Sequence, residues 1–326
     1  MFQKILIPVD GSQCGDHAAK FGLEFAKRLG AHVVLTNALI EYATEKDANR
    51  VIGPSRQMAE KLGVPFEVRL AEGRFLSIGE GIIEASQESN SELIVMGTHG
   101  REGIPRMLLG SVAEWVSRRA TVPVMLIREL AHATTHATAH ATTHPTTGHP
   151  KLERILVAVD GSPQSNLALT TASDLACALG INLELIHVIP DSPAVYSYTA
   201  YEYAPMIDFA KYQHDLEAES QAIIAAALAL LDAHTPKVAE VRTSRVPADG
   251  TRLGDAIIKT AKEHNADLIV IGTHGRSGVD LLLLGSVAER VSHRSEVPVL
   301  MIRAASVAVE EKASEAASTG VAIPKT

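Results

Sequence analysis

The sequence contains one pattern twice. Residues 1–38 align without gaps on 151–188, so that Ile5-Leu6-Ile7-Pro8-Val9-Asp10-Gly11-Ser12 lies over Ile155-Leu156-Val157-Ala158-Val159-Asp160-Gly161-Ser162. Farther on, Leu93-Ile94-Val95-Met96-Gly97-Thr98-His99-Gly100-Arg101 lies over 268–276, with 109–114 over 284–289 and 122–124 over 297–299. The offset grows from 150 to 175 between these blocks, so the middle of the second copy is longer. Solenoid repeats run about 20–50 residues, and a period this long is a duplicated domain instead. A length of 326 residues, at about 150 per domain, agrees. The expected boundaries are 1–129 and 151–304, with a linker at 130–150 and a disordered tail at 305–326.

Each copy alternates strand and helix. Residues 4–9 form a continuous apolar run, as expected of a strand covered on both faces. A helix is predicted over 17–29, stopped at Gly30, then strands over 33–38 and 64–70. A helix over 78–88, a strand over 93–96, a helix over 110–119 and a strand over 122–127 complete the copy. This order implies parallel crossovers and a doubly wound α/β sheet. Pro123 and Pro298 lack an N–H, which puts the fifth strand at an edge or a ladder boundary.

Composition excludes several classes. Acidic residues number 38 against 30 basic ones, a formal charge of −8, so no electrostatic nucleic-acid coat is expected. With 46% hydrophobic residues the chain can bury a core, and two cysteines cannot build a disulfide scaffold. The N-terminal apolar run ILIPV is too short for a secretory leader. The longest apolar stretch, 222–231, is half of the roughly 20 residues a membrane span needs. A cytoplasmic protein with no membrane association is the expectation.

Ligands of doubly wound sheets bind beyond the carboxyl ends of the strands, where the strand order reverses. The loops placed there are Asp10-Gly11-Ser12 and 97–111, with Asp160-Gly161-Ser162 and 272–286 in the second copy. Both long loops read G-x2-G-x9-G-S. Gly97 and Gly100 permit positive φ and a close backbone approach. Gly110-Ser111 opens a helix whose free N–H groups suit a phosphate, and the Ser111 hydroxyl adds a donor. No G-x4-G-K-[ST] occurs, so an ordinary P-loop is absent. Plainer readings stand beside these: Asp10 as an Asx turn, Ser111 as a helix N-cap, His99 and His274 as shapers of backbone or ribose contacts.

The PVDGS strand end, the MGTHGR turn and the G-x2-G-x9-GS spacing, each present in both copies apart from Pro8 becoming Ala158 and Met96 becoming Ile271, resemble the universal stress protein family. The resemblance spans both copies and implies two doubly wound five-stranded parallel-sheet domains of strand order 3-2-1-4-5. It also implies the ATP-binding subclass. Carried over residue by residue, the ATP-binding set is Pro8, Val9, Asp10, Ala38, Met96, Gly97, His99, Gly100, Arg101, Gly110, Ser111 and Val112. In the second copy it is Ala158, Val159, Asp160, Val188, Ile271, Gly272, His274, Gly275, Arg276, Gly285, Ser286 and Val287. Asp10 and Val9 would meet the adenosine, Ala38 would flank the adenine, and the glycine loop would line ribose and phosphates. Arg106, which has Leu281 as its counterpart, is a further source of inequality between the copies.

The implied function is an ATP-binding regulatory protein of the stress response, with ATP as cofactor, with or without Mg²⁺. The partners expected are an adenine nucleotide, the second copy in an internal pseudo-dimer through the fifth strands, a homodimer through other surfaces, and an unidentified regulatory protein. The alternatives are a slow ATPase or phosphotransferase, or a scaffold or metal-buffering protein with vestigial sites. No catalytic residue and no metal ligand is assigned. The linker histidines 132, 136, 140 and 144 recur every four residues and would share one helical face, but threonine and proline make that helix poor. Cys14 and Cys177 read as unpaired thiols, Cys177 in the core.

Overall fold

The computed structural model describes residues 1–38, 45–71, 77–100, 109–128, 152–190, 209–238, 240–275 and 284–303. The expected linker and tail lie outside the described residues, as do Arg101, Arg106 and Arg276. The first copy runs β1 (Lys4–Pro8), α1 (Gln13–Leu29), β2 (His32–Ala38), α2 (Glu45–Leu62), β3 (Phe66–Ala71), α3 (Ile78–Glu88), β4 (Leu93–Gly97), α4 (Ser111–Arg119) and β5 (Val124–Ile127). The second runs β6 (Arg154–Ala158), α5 (Pro163–Leu179), β7 (Asn182–Ile189), α6 (Phe209–Ala233), β8 (Val241–Pro247), α7 (Leu253–Glu263), β9 (Leu268–Gly272), α8 (Ser286–Arg294) and β10 (Val299–Ile302).

All ten strands form one sheet, ordered β3-β2-β1-β4-β5-β10-β9-β6-β7-β8. Within each copy the ladder is parallel and has the expected order 3-2-1-4-5. The halves meet where β5 and β10 pair antiparallel, with Val299 opposite Leu126, Leu300 opposite Met125 and Met301 opposite Val124. Alternate strand residues feed two apolar layers: Ile5 and Ile7 lie on one face, Leu6 and Ile94 on the other. Both layers draw residues from both copies, so the core continues across the junction. Fully burying one such side chain contributes about 1.5–3 kcal/mol.

Local chemistry sets the element ends. The Ser12 hydroxyl accepts the Gly15 N–H at 2.9 Å, so α1 starts at Gln13, earlier than the apolar spacing predicts. Gly30, at φ 67°, closes α1 with bonds to the Lys27 and Ala26 carbonyls from its own N–H and that of Ala31. Val64 donates back to Ala59 at the end of α2, which delays β3 to Phe66. The missing N–H of Pro123 and Pro298 places them just before β5 and β10, where their carbonyls accept Ile94 and Ile269. Cys14 is a buried free thiol. Cys177 is half-buried, not in the core, because its thiol faces the carbonyl of Lys237 at 3.3 Å.

Candidate functional site

The carboxyl ends of β1 and β4 bring the two sequence motifs together. Gly11 has φ 74° and turns the chain between Asp10 and Ser12. The Asp10 carboxylate accepts the Ser12 amide at 2.9 Å and the Ser12 hydroxyl at 2.7 Å, so the Asx turn exists. Its other oxygen faces Gly100, where a Cβ would stand 3.1 Å away. In the second copy Asp160 accepts the Ser162 amide at 2.9 Å, and its Oδ2 would lie 2.7 Å from a Cβ on Gly275. The aspartate thus links the two loops in both copies.

The loop glycines serve close approach. Among the described residues of the motif loops, positive φ falls at Gly11 and Gly161 and not at Gly97, Gly100, Gly272 or Gly275, which corrects the expectation drawn from φ. A Cβ on Gly97 would lie 3.1 Å from the Cys14 backbone, and one on Gly272 about as close to Gln164. These glycines let the strand end abut the first turn of α1 and of α5. A Cβ on Gly110 would stand 3.0 Å from the Thr98 carbonyl, and on Gly285 3.1 Å from that of Thr273. The same carbonyls accept the Gly110 and Gly285 amides at 2.8 Å.

Gly110 and Gly285 are the N-caps of α4 and α8, and neither helix has a side-chain cap. The helices α1 and α5, by contrast, carry the serine caps Ser12 and Ser162. Ser111 and Ser286 are therefore not caps; they are the exposed first residues of their helices. The α4 and α8 ends present amides and the positive end of the helix dipole without a serine lid. Val112 and Val287 pack against the core beneath.

His99 Nδ1 pairs with Thr98 Oγ1 at 2.9 Å and His274 Nδ1 with Thr273 Oγ1 at 3.0 Å, which fixes both rings. His274 Nε2 is buried with no hydrogen-bond partner among the described residues. Val9, Met96, Val159 and Ile271 have side chains committed to the core, so they offer a ligand only backbone. Pro8 and Ala158 end β1 and β6, Ala38 ends β2, and Val188 lies one residue before the end of β7. Sequence reasoning missed Asn37 and His187. Asn37 Nδ2 donates to the Val9 carbonyl and His187 Nδ1 pairs with that of Val159 at 2.7 Å, bracing the backbone beside each aspartate. Their equivalent positions one residue before Ala38 and Val188 were the available signal.

Fold and site together define a tandem α/β protein with closely approaching glycine-containing loops at each topological switch point. The chain belongs to the universal stress protein family, whose model matches residues 1–128 and again 151–303. It is similar to universal stress protein Rv2005c of Mycobacterium tuberculosis, 30% identical over 258 residues that cover 79% of this chain and 74% of the relative. A universal stress protein of Mycolicibacterium smegmatis is 26% identical over 319 residues, covering 92% of this chain and 96% of the relative. The crystal structure of a universal stress protein from Archaeoglobus fulgidus has the same fold: TM-score 0.62, 22% identity, 93% of this chain and 99% of that one. No helix among the described residues is long and apolar enough to cross a membrane.

Proposed function

We propose that the chain is an ATP-binding regulatory protein of the stress response with one nucleotide site per copy, whose occupancy is read by a partner protein. The observation that carries this reading is the pair of α4 and α8 N-termini, each uncapped by a side chain and anchored by a glycine amide 2.8 Å from a loop carbonyl. Bound ATP supplies a polyphosphate anion and an adenosine. The amides of Ser111 and Val112, with the Ser111 hydroxyl, would hold the anion; Ser286 and Val287 repeat this in the second copy. Asp10 and Asp160 would orient the adenosine, and the glycines opposite them leave the room a Cβ would take. Arg101 and Arg276 belong to the proposed set by sequence. No metal-ligand set is proposed, so any Mg²⁺ would arrive on the phosphates. The two copies are proposed as domains with boundaries at 1–129 and 151–304, acting in the cytoplasm.

The test is purification without added nucleotide, then mass spectrometry of what denaturation releases, beside calorimetric titration with ATP. Released adenine nucleotide, or binding of two ATP per chain, is expected. A chain that releases none and takes up none at millimolar ATP is not a nucleotide-binding protein.

A further inference from the structure

Arg128 and Arg303 occupy equivalent positions, each one residue past the innermost strand of its own copy, and each reaches into the other copy. Arg128 Nη2 donates to the His293 carbonyl at 2.6 Å and stands 3.5 Å from that of Ser292, in the last turn of α8. Arg303 Nη1 faces the carbonyl of Ala120, the C-cap of α4, at 3.5 Å. A guanidinium there meets the unsatisfied carbonyls and the negative end of the helix dipole. Burial pushes both guanidinium groups below the usual arginine range, so their polar contacts count for more than at an open surface.

These contacts close a ring through both candidate sites. The Gly110 amide bonds Thr98 O at 2.8 Å, and the Thr98 amide bonds Ile127 O at 3.0 Å, next to Arg128. Arg128 holds the end of α8, and α8 runs back to Gly285. The Gly285 amide bonds Thr273 O at 2.8 Å, and the Thr273 amide bonds Ile302 O at 2.9 Å, next to Arg303. Arg303 reaches the end of α4, which returns to Gly110. Arg118 and Glu289, 3.9 Å apart, join the two helices directly.

We propose that the two nucleotide sites are coupled through this ring, so that occupying one changes the affinity of the other by way of Arg128 and Arg303. The ligand part rests on the nucleotide reading above; the mechanical link between the helix ends does not. Coupling of this kind is reciprocal by linkage, and a factor of about five or more is the expected size. Arginine contacts of unequal length, 2.6 Å and 3.5 Å, make Arg128 the stronger of the two connections.

Hydrogen exchange on the ligand-free full chain tests the link first. Gly285→Ala perturbs the second site by setting a Cβ 3.1 Å from Thr273 O. The amides of Ser111, Val112 and Ala113 in the first site should then change exchange rate about threefold or more, and adding Arg128→Met should cut that response by more than half while Arg128→Lys partly restores it. Unchanged rates at 111–113 overturn the proposal. Should Gly285→Ala fail to fold, Arg128→Met alone decides: a change reaching 286–288 and 111–113 supports the ring, and one confined to the last turn of α8 overturns it. Calorimetric ATP titration of the same variants follows, where Arg128→Met should bring the two sites toward independent affinities. Coupled exchange with no ATP uptake would end the nucleotide reading and leave the link standing. Normal ATP uptake with uncoupled exchange would do the reverse.

Discussion

The Thr98 carbonyl accepts the Gly110 amide at 2.8 Å, and a Cβ on Gly110 would stand 3.0 Å from that same oxygen. The bond fixes where α4 begins relative to β4, and the absence of a side chain is what lets the backbones come so near. Gly110→Ala should therefore act twice. Crowding against backbone should cost about 1–3 kcal/mol of stability, and the displaced helix end should weaken ATP binding at the first site. Ser111→Ala isolates the ligand term, because Ser111 is exposed and serves no cap. Its melting temperature should not move, while affinity falls by the worth of one charge-assisted hydrogen bond, about 1–3 kcal/mol. Calorimetry showing unchanged affinity and stoichiometry for Ser111→Ala would remove that hydroxyl from the site.

Asp10 accepts the amide and the hydroxyl of Ser12, and Asp160 accepts the Ser162 amide. Asp10→Ala and Asp160→Ala should each lower stability, and Asp10→Asn, which keeps an acceptor oxygen, should recover most of the loss at Asp10. In nucleotide affinity, the first site is expected to bind more tightly. Pro8 stiffens the backbone before Asp10, while Ala158 leaves it looser before Asp160. Titration of Asp10→Ala and Asp160→Ala reads the surviving site in each case; equal residual affinities would sink this asymmetry.

The inner strands were legible because buried parallel strands are written as unbroken apolar runs, the motif loops because they recur in both copies, and the 3-2-1-4-5 order only through the family resemblance. The helix α2 was not. Gly53-Pro54 interrupts it with two residues that signal a break, and its buried face is reduced to Ala48, Ile52, Ser55 and Ala59. The 25-residue α6 fills part of the longer middle of the second copy, where the repeat gave no template. Of the two reasons the sequence offers for Gly97, close approach holds, though to Cys14, and positive φ does not. Arg128 and Arg303 carried no signal in either copy alone, because what they bind is created only when β5 meets β10.

A pH prediction concerns the brace behind α8. Arg290 bonds the Asp255 carboxylate at 2.7 Å, and this bond, with Arg290, Arg294 and Arg252 nearby, holds Asp255 below the ordinary carboxylate range. A depressed folded-state value means the contribution is complete above the unfolded value of about 4 and disappears as pH falls through the lower folded one. Asp255→Asn should thus lower stability at neutral pH and shrink the loss seen on acidification. The pair is largely at the surface, so the effect should be small and should fade in high salt. Thermal melts from pH 7 to pH 3 with an acid limb identical to that of the unsubstituted chain would discount the pair.

The final prediction tests the junction of the copies. The β5 and β10 strands, VMLI and VLMI, are buried and pair through Met125 and Leu300 at the centre of the sheet. Left alone, each half would expose this strand as an apolar edge, the arrangement most prone to unwanted pairing. Beside the Arg128, Arg303 and Arg118–Glu289 contacts, Arg28 donates from α1 to the Leu152 and Leu179 carbonyls of the other copy at 3.0 Å each. A covalent tether of 20 residues between the copies, as the sequence of 131–150 provides, corresponds to an effective concentration of about millimolar. If burial of the two edges is the main source of association, the covalent tether is dispensable. A protease site inserted within 131–150 and cut in the folded protein should leave the halves eluting together on a sizing column at micromolar concentration. Separation into two smaller species there would mean that the tether, not the β5–β10 interface, holds the sheet together.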